Sequence, residues 1–227
     1  FSQGLPLEGF ESTGGPDLPF PTTPSEWTLG TSVPGNTWQV FDNGVGLQRR
    51  WDVINGAGNF YAGANATFID RENINQGNTS EDYLATPLVT IPANGQLKFW
   101  TRTGSNGDQN TIYQIKVAPS TATQINPNAY SIVQQYSETT LHTTAPSTTP
   151  TNFDVYIQKT VDLSAFAGQS VYIAFVRQFT QPTPGLGGDR WYIDDVQVVQ
   201  QCFNPTALTA TGITFNSANL SWTSPGV

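Results

Sequence analysis

Six consecutive residues, Val171-Tyr172-Ile173-Ala174-Phe175-Val176, are apolar and mostly β-branched or aromatic. A continuous run of strand length fits a central strand of a two-sheet core. Leu97 to Arg102 and Ile112 to Val117 also read as strands. Between them lies Asn106-Gly107, a dipeptide suited to the positive φ of a hairpin turn, and Asn94-Gly95 leads into the first. Val161 to Gln169 reads as a single helical turn stopped by Gly168 at its C-cap, and nothing longer has helical periodicity. Thr139 to Asn152, rich in Thr and Pro, reads as a long exposed connection. Many strands, turn signals throughout and no long helix predict an all-β fold, a jelly-roll β-sandwich of two antiparallel sheets.

The run Gly188-Asp189-Arg190-Trp191-Tyr192-Ile193-Asp194-Asp195-Val196-Gln197-Val198 is also strand-like, but two adjacent carboxylates interrupt it. Aspartate is depleted from strands because it competes for backbone hydrogen bonds and gains nothing on a packed face. Successive side chains point to opposite faces, so at most one of the pair reaches solvent unless a bulge intervenes. The residues alone leave two readings. Asp194 and Asp195 hold a cation, or they pair with Arg190 or Arg177 or accept backbone N–H bonds at a strand end.

Charge narrows the function classes. Only 11% of the 227 residues are charged, so neutral Thr, Ser, Asn and Gln wet most of the surface. Seventeen acidic against nine basic residues give a net charge of −8, without a Lys/Arg cluster to bind nucleic acid. No apolar run is long enough for a membrane-spanning helix, so no membrane insertion is expected. The chain begins at Phe1 without a leader and reads as a mature or trimmed product. The single Cys202 cannot close an internal disulfide. His142 is the only histidine and lies beside no recognisable nucleophile motif, which argues against a catalytic triad or a histidine zinc site. Neighbouring carboxylates on one strand point apart, which does not make the facing acids, about 5 to 9.5 Å apart, of a glycosidase. Asp70-Arg71-Glu72 and Asp189-Arg190 read as surface ion pairs, and Trp38, Trp51, Trp100 and Trp191 as core residues rather than a sugar-stacking platform.

The C-terminal segment differs in character. Residues 1–200 read as one jelly-roll domain. Residues 201–227 read as a linker and the first strands of a truncated module, on a proline, an alternating strand, a turn and Leu220-Ser221-Trp222. This segment resembles the start of a fibronectin type III module, which implies further domains of the same chain after Val227.

Several motifs in order carry a second resemblance. They are Phe10-Glu11, Phe20-Pro21, Trp27-Thr28, Gly63-Ala64-Asn65-Ala66, Glu81-Asp82-Tyr83-Leu84-Ala85-Thr86-Pro87 and Leu97-Lys98-Phe99-Trp100. Val161-Asp162-Leu163, Tyr172-Ile173-Ala174-Phe175 and Trp191-Tyr192-Ile193-Asp194-Asp195-Val196 complete the series. Residues 8 to 199 thereby resemble the cleaved-adhesin, or choice-of-anchor J, family of MAM-like jelly-roll domains from surface and secreted proteins of Bacteroidetes. The resemblance implies a non-catalytic, extracellular module that binds a glycan or a host or surface protein. The alternative is an accessory or spacer module of a secreted peptidase or glycosidase, with no ligand of its own. It also implies one structural Ca2+, held by Glu11, the Tyr61 to Gly63 backbone, Asp82, Asp194 and Asp195. Oxygen ligands drawn from distant segments suit calcium. Family members with a second site carry an Asp-rich loop where Thr28 to Trp38 here has no carboxylate, so one site is expected.

Overall fold

The computed structural model describes residues 3–10, 38–46, 51–55, 58–142, 153–201 and 206–223. In chain order the strands are β1 (Gln3–Glu8), β2 (Gln39–Asp42), β3 (Asp52–Asn55), β4 (Asn65–Ile69), β5 (Thr79–Ala85), β6 (Val89–Thr90), β7 (Gly95–Thr103) and β8 (Thr111–Pro119). They continue with β9 (Ser131–Ser137), β10 (Ile157–Asp162), β11 (Ser170–Thr180), β12 (Trp191–Gln200), β13 (Thr206–Thr211) and β14 (Asn219–Thr223). The first sheet has the order β10-β7-β12-β4-β3, with β1 also paired to β12. The second has the order β2-β5-β11-β8-β9, with β6 also paired to β11. Every pairing is antiparallel, as the predicted sandwich requires.

The apolar run 171–176 occupies the middle of β11, between β5 and β8. It is apolar on both faces because each face has its own cover. Val171, Ile173 and Phe175 join Trp38, Phe99, Ile115, Trp191 and Ile193 between the sheets. Tyr172, Ala174 and Val176 point outward, where Phe41, Tyr83 and Tyr130 pack over them with Ala122, Ile125 and Ala129 from the β8–β9 connection. That connection carries a 3-10 turn at Pro127–Ala129, and Tyr130 donates its hydroxyl hydrogen to the Gln124 carbonyl. A sequence run that reads as one buried strand thus serves two cores.

Two local expectations change. Asn106-Gly107 does not close a hairpin, because β7 belongs to the first sheet and β8 to the second. Gly107 has the expected positive φ of 87°, so the turn chemistry holds while the chain crosses between sheets. The Thr-rich connection begins with a short helix, α1 (Glu138–His142), that buries Leu141 and Glu138. The turn predicted before β11 forms as a 3-10 helix at Ser164–Phe166, with Gly168 at φ 77°.

β13 and β14 pair only with each other, and every described residue from 206 to 223 is exposed. In the main core, Phe175 contacts Phe99 edge-on at 5.1 Å, Trp191 at 5.9 Å and Trp38 in a stack at 6.5 Å. Phe175→Ala is expected to cost about 3–5 kcal/mol through the cavity left among these rings, read as a lower midpoint in urea unfolding.

Candidate functional site

The acid pair sits where β12 changes partners. Its first half pairs with β4 through Trp191 to Ile193, and its second half with β1 through Val196 to Val199. Opposite β7 the register slips between Asp194 and Gln197. Trp191 and Ile193 face the core, Tyr192 and Asp194 face outward, and Val196 and Val198 return to the core. One extra residue restores the inward phase, and this is a β-bulge. Asp195 occupies the bulge at φ 48°, a left-handed conformation that aspartate tolerates better than β-branched residues.

Asp194 is buried, and three backbone N–H groups donate to its carboxylate. Tyr61 and Ala62 donate to Oδ2 at 2.8 and 3.1 Å, and Asp195 donates to Oδ1 at 2.7 Å. Burial pushes its carboxyl up to about 7 despite these bonds, and the Asp195 charge adds to the rise. No described cationic side chain forms an ion pair with it. Asp194, with Asp195 next to it in the chain, is therefore brought together with the loop of Tyr61 and Ala62.

Asp82 is not part of this group. It lies on β5 in the other sheet, fully buried, with Oδ2 3.3 Å from Arg177 Nη1 on β11. Asp82 faces Asp42 across β2, and like charges in register repel, so the guanidinium on its other side supplies the compensation. Burial pushes the Asp82 carboxyl up to about 7; Arg177 pulls it down, while Glu72 and Asp42 push it up. Arg177 also donates to the carbonyls of Asp189 and Gly187 at 2.8 and 2.6 Å. Expected partners thus change places: Arg177 takes Asp82, Arg190 takes Asp70 at 2.6 Å, and Asp194 takes backbone. Asp189 and Glu72, read as surface charges, are buried instead, and Asp189 accepts N–H bonds from Ser105 and Arg190.

Glu11 lies outside the described residues. Among the described residues, no group of three or more His, Cys, Asp and Glu side chains is placed to hold a metal ion. Glu8 went unnoticed in the sequence: it is buried on β1 opposite Val196, and its Oε1 accepts the Phe10 N–H at 2.8 Å.

The outer face of the first sheet carries a second group of side chains. Trp38, Trp51 and Trp191 are core residues as expected, but Trp100 faces outward from β7 with the Tyr61 ring stacked on it, centroids 3.6 Å apart. Tyr156 lies 6.2 Å from Tyr61, and its hydroxyl donates to the Asn59 carbonyl at 2.7 Å. The Arg102 guanidinium lies 3.7 Å over the Tyr192 ring and donates to Asn59 Oδ1 at 3.1 Å.

The titratable groups that resemble catalytic ones hold structure. The Glu138 carboxylate accepts the N–H bonds of Gln109 and Thr111, at 2.7 and 2.9 Å, at the start of β8. His142 Nε2 accepts the Thr103 N–H at 3.1 Å, and burial pushes its pKa down to about 4, which leaves the ring neutral near pH 7.

The Cleaved Adhesin Domain family matches residues 23–198. This chain belongs to that family. Hemagglutinin A of Porphyromonas gingivalis is 31% identical over 131 residues, 52% of this chain and 4% of that protein. The chain thus spans a small part of that curated relative. Among solved structures, the K2 cleaved adhesin domain of Lys-gingipain superposes with a TM-score of 0.51 at 19% identity, covering 86% of this chain and 97% of that one. The K1 domain of Lys-gingipain from Porphyromonas gingivalis W83 gives 0.47 at 21% identity, covering 72% and 90%. The K2 likeness establishes the sandwich fold, and the family places the domain among non-catalytic binding modules.

The buried pair makes a sharp test of the Asp82 assignment. Arg177→Met should destabilise the Cleaved Adhesin Domain by roughly 3–5 kcal/mol in urea unfolding, because it leaves the Asp82 carboxylate buried without its cation. Adding Asp82→Leu should recover part of that loss, since an apolar pair replaces a buried ion pair at small cost.

Proposed function

We propose that this domain is the adhesion module of a larger surface or secreted protein, with a glycan or a surface protein as its ligand and a structural calcium in its frame. The observation that carries the reading is the family match over residues 23–198. The hemagglutinin relationship supports a surface or secreted setting. No described helix is long and apolar enough to cross a membrane.

The geometry is compatible with this reading. Its polar groups act as structural ties: Asp194 on a loop, Asp82 on Arg177, Glu138 and His142 on backbone N–H groups. Such a frame holds an external face still, and a rigid face binds without the ordering entropy that mobile loops lose.

For calcium, the donor chemistry fits in part. Asp194 is a buried carboxylate without a cationic side chain among the described residues, next to a second carboxylate on a bulge. A carboxylate offers about four lone-pair positions, so three N–H bonds leave Asp194 further capacity. Asp194, Asp195 and carbonyls of the Tyr61 to Gly63 loop would hold the ion, with Glu11 as the fourth contributor, while Asp82 would take no part. There the ion would neutralise the acid pair and tie the loop to β12.

Two measurements test the proposal. Beads coated with the purified chain should agglutinate erythrocytes or bind epithelial cells above uncoated controls; no adhesion to any cell or matrix surface would sink the adhesin reading. Calcium should raise the melting temperature by roughly 5–10 °C over EDTA, from about 2.7 kcal/mol at a hundredfold excess over Kd. Asp195→Ala should abolish that difference, and an unchanged melting curve in EDTA would remove calcium from the account.

A further inference from the structure

We propose that the outer face of the first sheet is a saccharide platform, where Tyr61, backed by Trp100, stacks on an uncharged pyranose ring and Asp194 is the positioning residue for Tyr61. The inference rests on the adhesin reading and gives it a place and a ligand class.

Tyr61 remains 43% exposed while its ring is stacked on Trp100 at an interplanar angle of 11°. An exposed tyrosine on a loop normally samples several rotamers, and binding then loses that freedom. Here the loop is fixed at two points. The Asp194 carboxylate accepts the N–H groups of Tyr61 and Ala62, and the Tyr156 hydroxyl and Arg102 guanidinium hold Asn59. The ring is therefore preorganised, and contact with it has a small entropic cost.

The surroundings select the partner. Beside Trp100 on β10 stand Gln158 and, one pair further, Thr160, both exposed; Gln197 faces Lys98 on β12. Arg102 is buried against Tyr192, and Asp194 is buried beneath the Tyr61 loop. Apart from Lys98, the rim groups Gln158, Thr160 and Gln197 are amides and a hydroxyl, which donate and accept equally, as sugar hydroxyls do. The negative π-face of Tyr61 complements the polarised C–H face of a pyranose. A protein partner would need roughly 1,200–2,000 Å² with an apolar centre, and one exposed ring with a polar rim does not supply that centre.

Affinity electrophoresis through gels containing soluble galactan, xylan, mannan or β-glucan tests the platform, with calcium present throughout. The wild-type chain should be retarded by at least one of these. Tyr61→Ala should weaken that retardation about tenfold, Tyr61→Phe should retain it, and Arg71→Ala, in the cleft lined by Arg71, Glu72 and Gly185 to Gly188, should leave it unchanged. Asp194→Asn should weaken the wild type but add nothing in the Tyr61→Ala background, the non-additivity expected when one residue acts through the other. Full retardation of Tyr61→Ala, or loss only in Arg71→Ala, would move the site elsewhere and overturn the platform. Cell adhesion without retardation by any of the four polysaccharides would overturn the ligand class while leaving the adhesin reading intact. Absence of both would defeat the two together.

Discussion

The carboxylate of Asp194 is the contact on which the arrangement of the first sheet turns. β12 must pair with β4 at one end and β1 at the other, and the change of partner is made by the bulge at Asp195. A bulge leaves backbone groups without ladder partners, and buried orphans cost about 1–3 kcal/mol each. Asp194 accepts the N–H at the bulge itself and two more from the Tyr61 loop, so one side chain both closes the irregularity and tethers the loop above it. Aspartate suits the position because its short carboxylate reaches local N–H groups, and asparagine would offer a single acceptor oxygen.

The second buried acid answers a different demand. Asp82 lies between Asp42 and Arg177, facing the sandwich interior near the loop that leads into β12. Arg177 spreads its donors over the Asp82 carboxylate and the carbonyls of Asp189 and Gly187, so a single planar group ties two segments, β5 and the loop before β12, to β11. In a chain with so few charges, the buried ones connect distant segments, and their value lies in fixing geometry more than in net stability.

Much of this was legible in the sequence. The inward residues of β12 are Trp191, Ile193, Val196 and Val198, and the change from even to odd spacing across the acid pair marks a bulge before any coordinates. The outward position of Trp100 was also available, since Leu97, Phe99 and Thr101 alternate with Lys98, Trp100 and Arg102. A tryptophan flanked at two-residue spacing by Lys and Arg shares their face. Sequence pattern could not show that Asn106-Gly107 joins strands of different sheets, because a turn dipeptide fixes local φ and says nothing of which strand lies beside which. Nor could it assign Arg177 to Asp82, a cross-strand pairing set by register between residues 95 positions apart.

The two sheets are not equivalent in what they leave to solvent. The outer face of the second sheet is closed by Tyr130 and the β8–β9 connection, and Phe41, Tyr83, Tyr172 and Val176 form a small second core beneath it. On the outer face of the first sheet, Phe68, Tyr192, Arg102 and Trp100 form a row of three rings and one guanidinium, with the Tyr61 loop laid across one end; Tyr192 and Arg102 are buried there, while Tyr61 stays exposed. A sandwich buries one face of each sheet by construction and leaves the others to be sealed or used. Here the same loop that Asp194 ties down stops short of sealing its face, leaving an aromatic ring held at the surface where a closing segment would otherwise lie. The acid pair and the aromatic face are therefore joined through one loop, and the irregularity in β12 lets a structural strand hold Tyr61 at the surface.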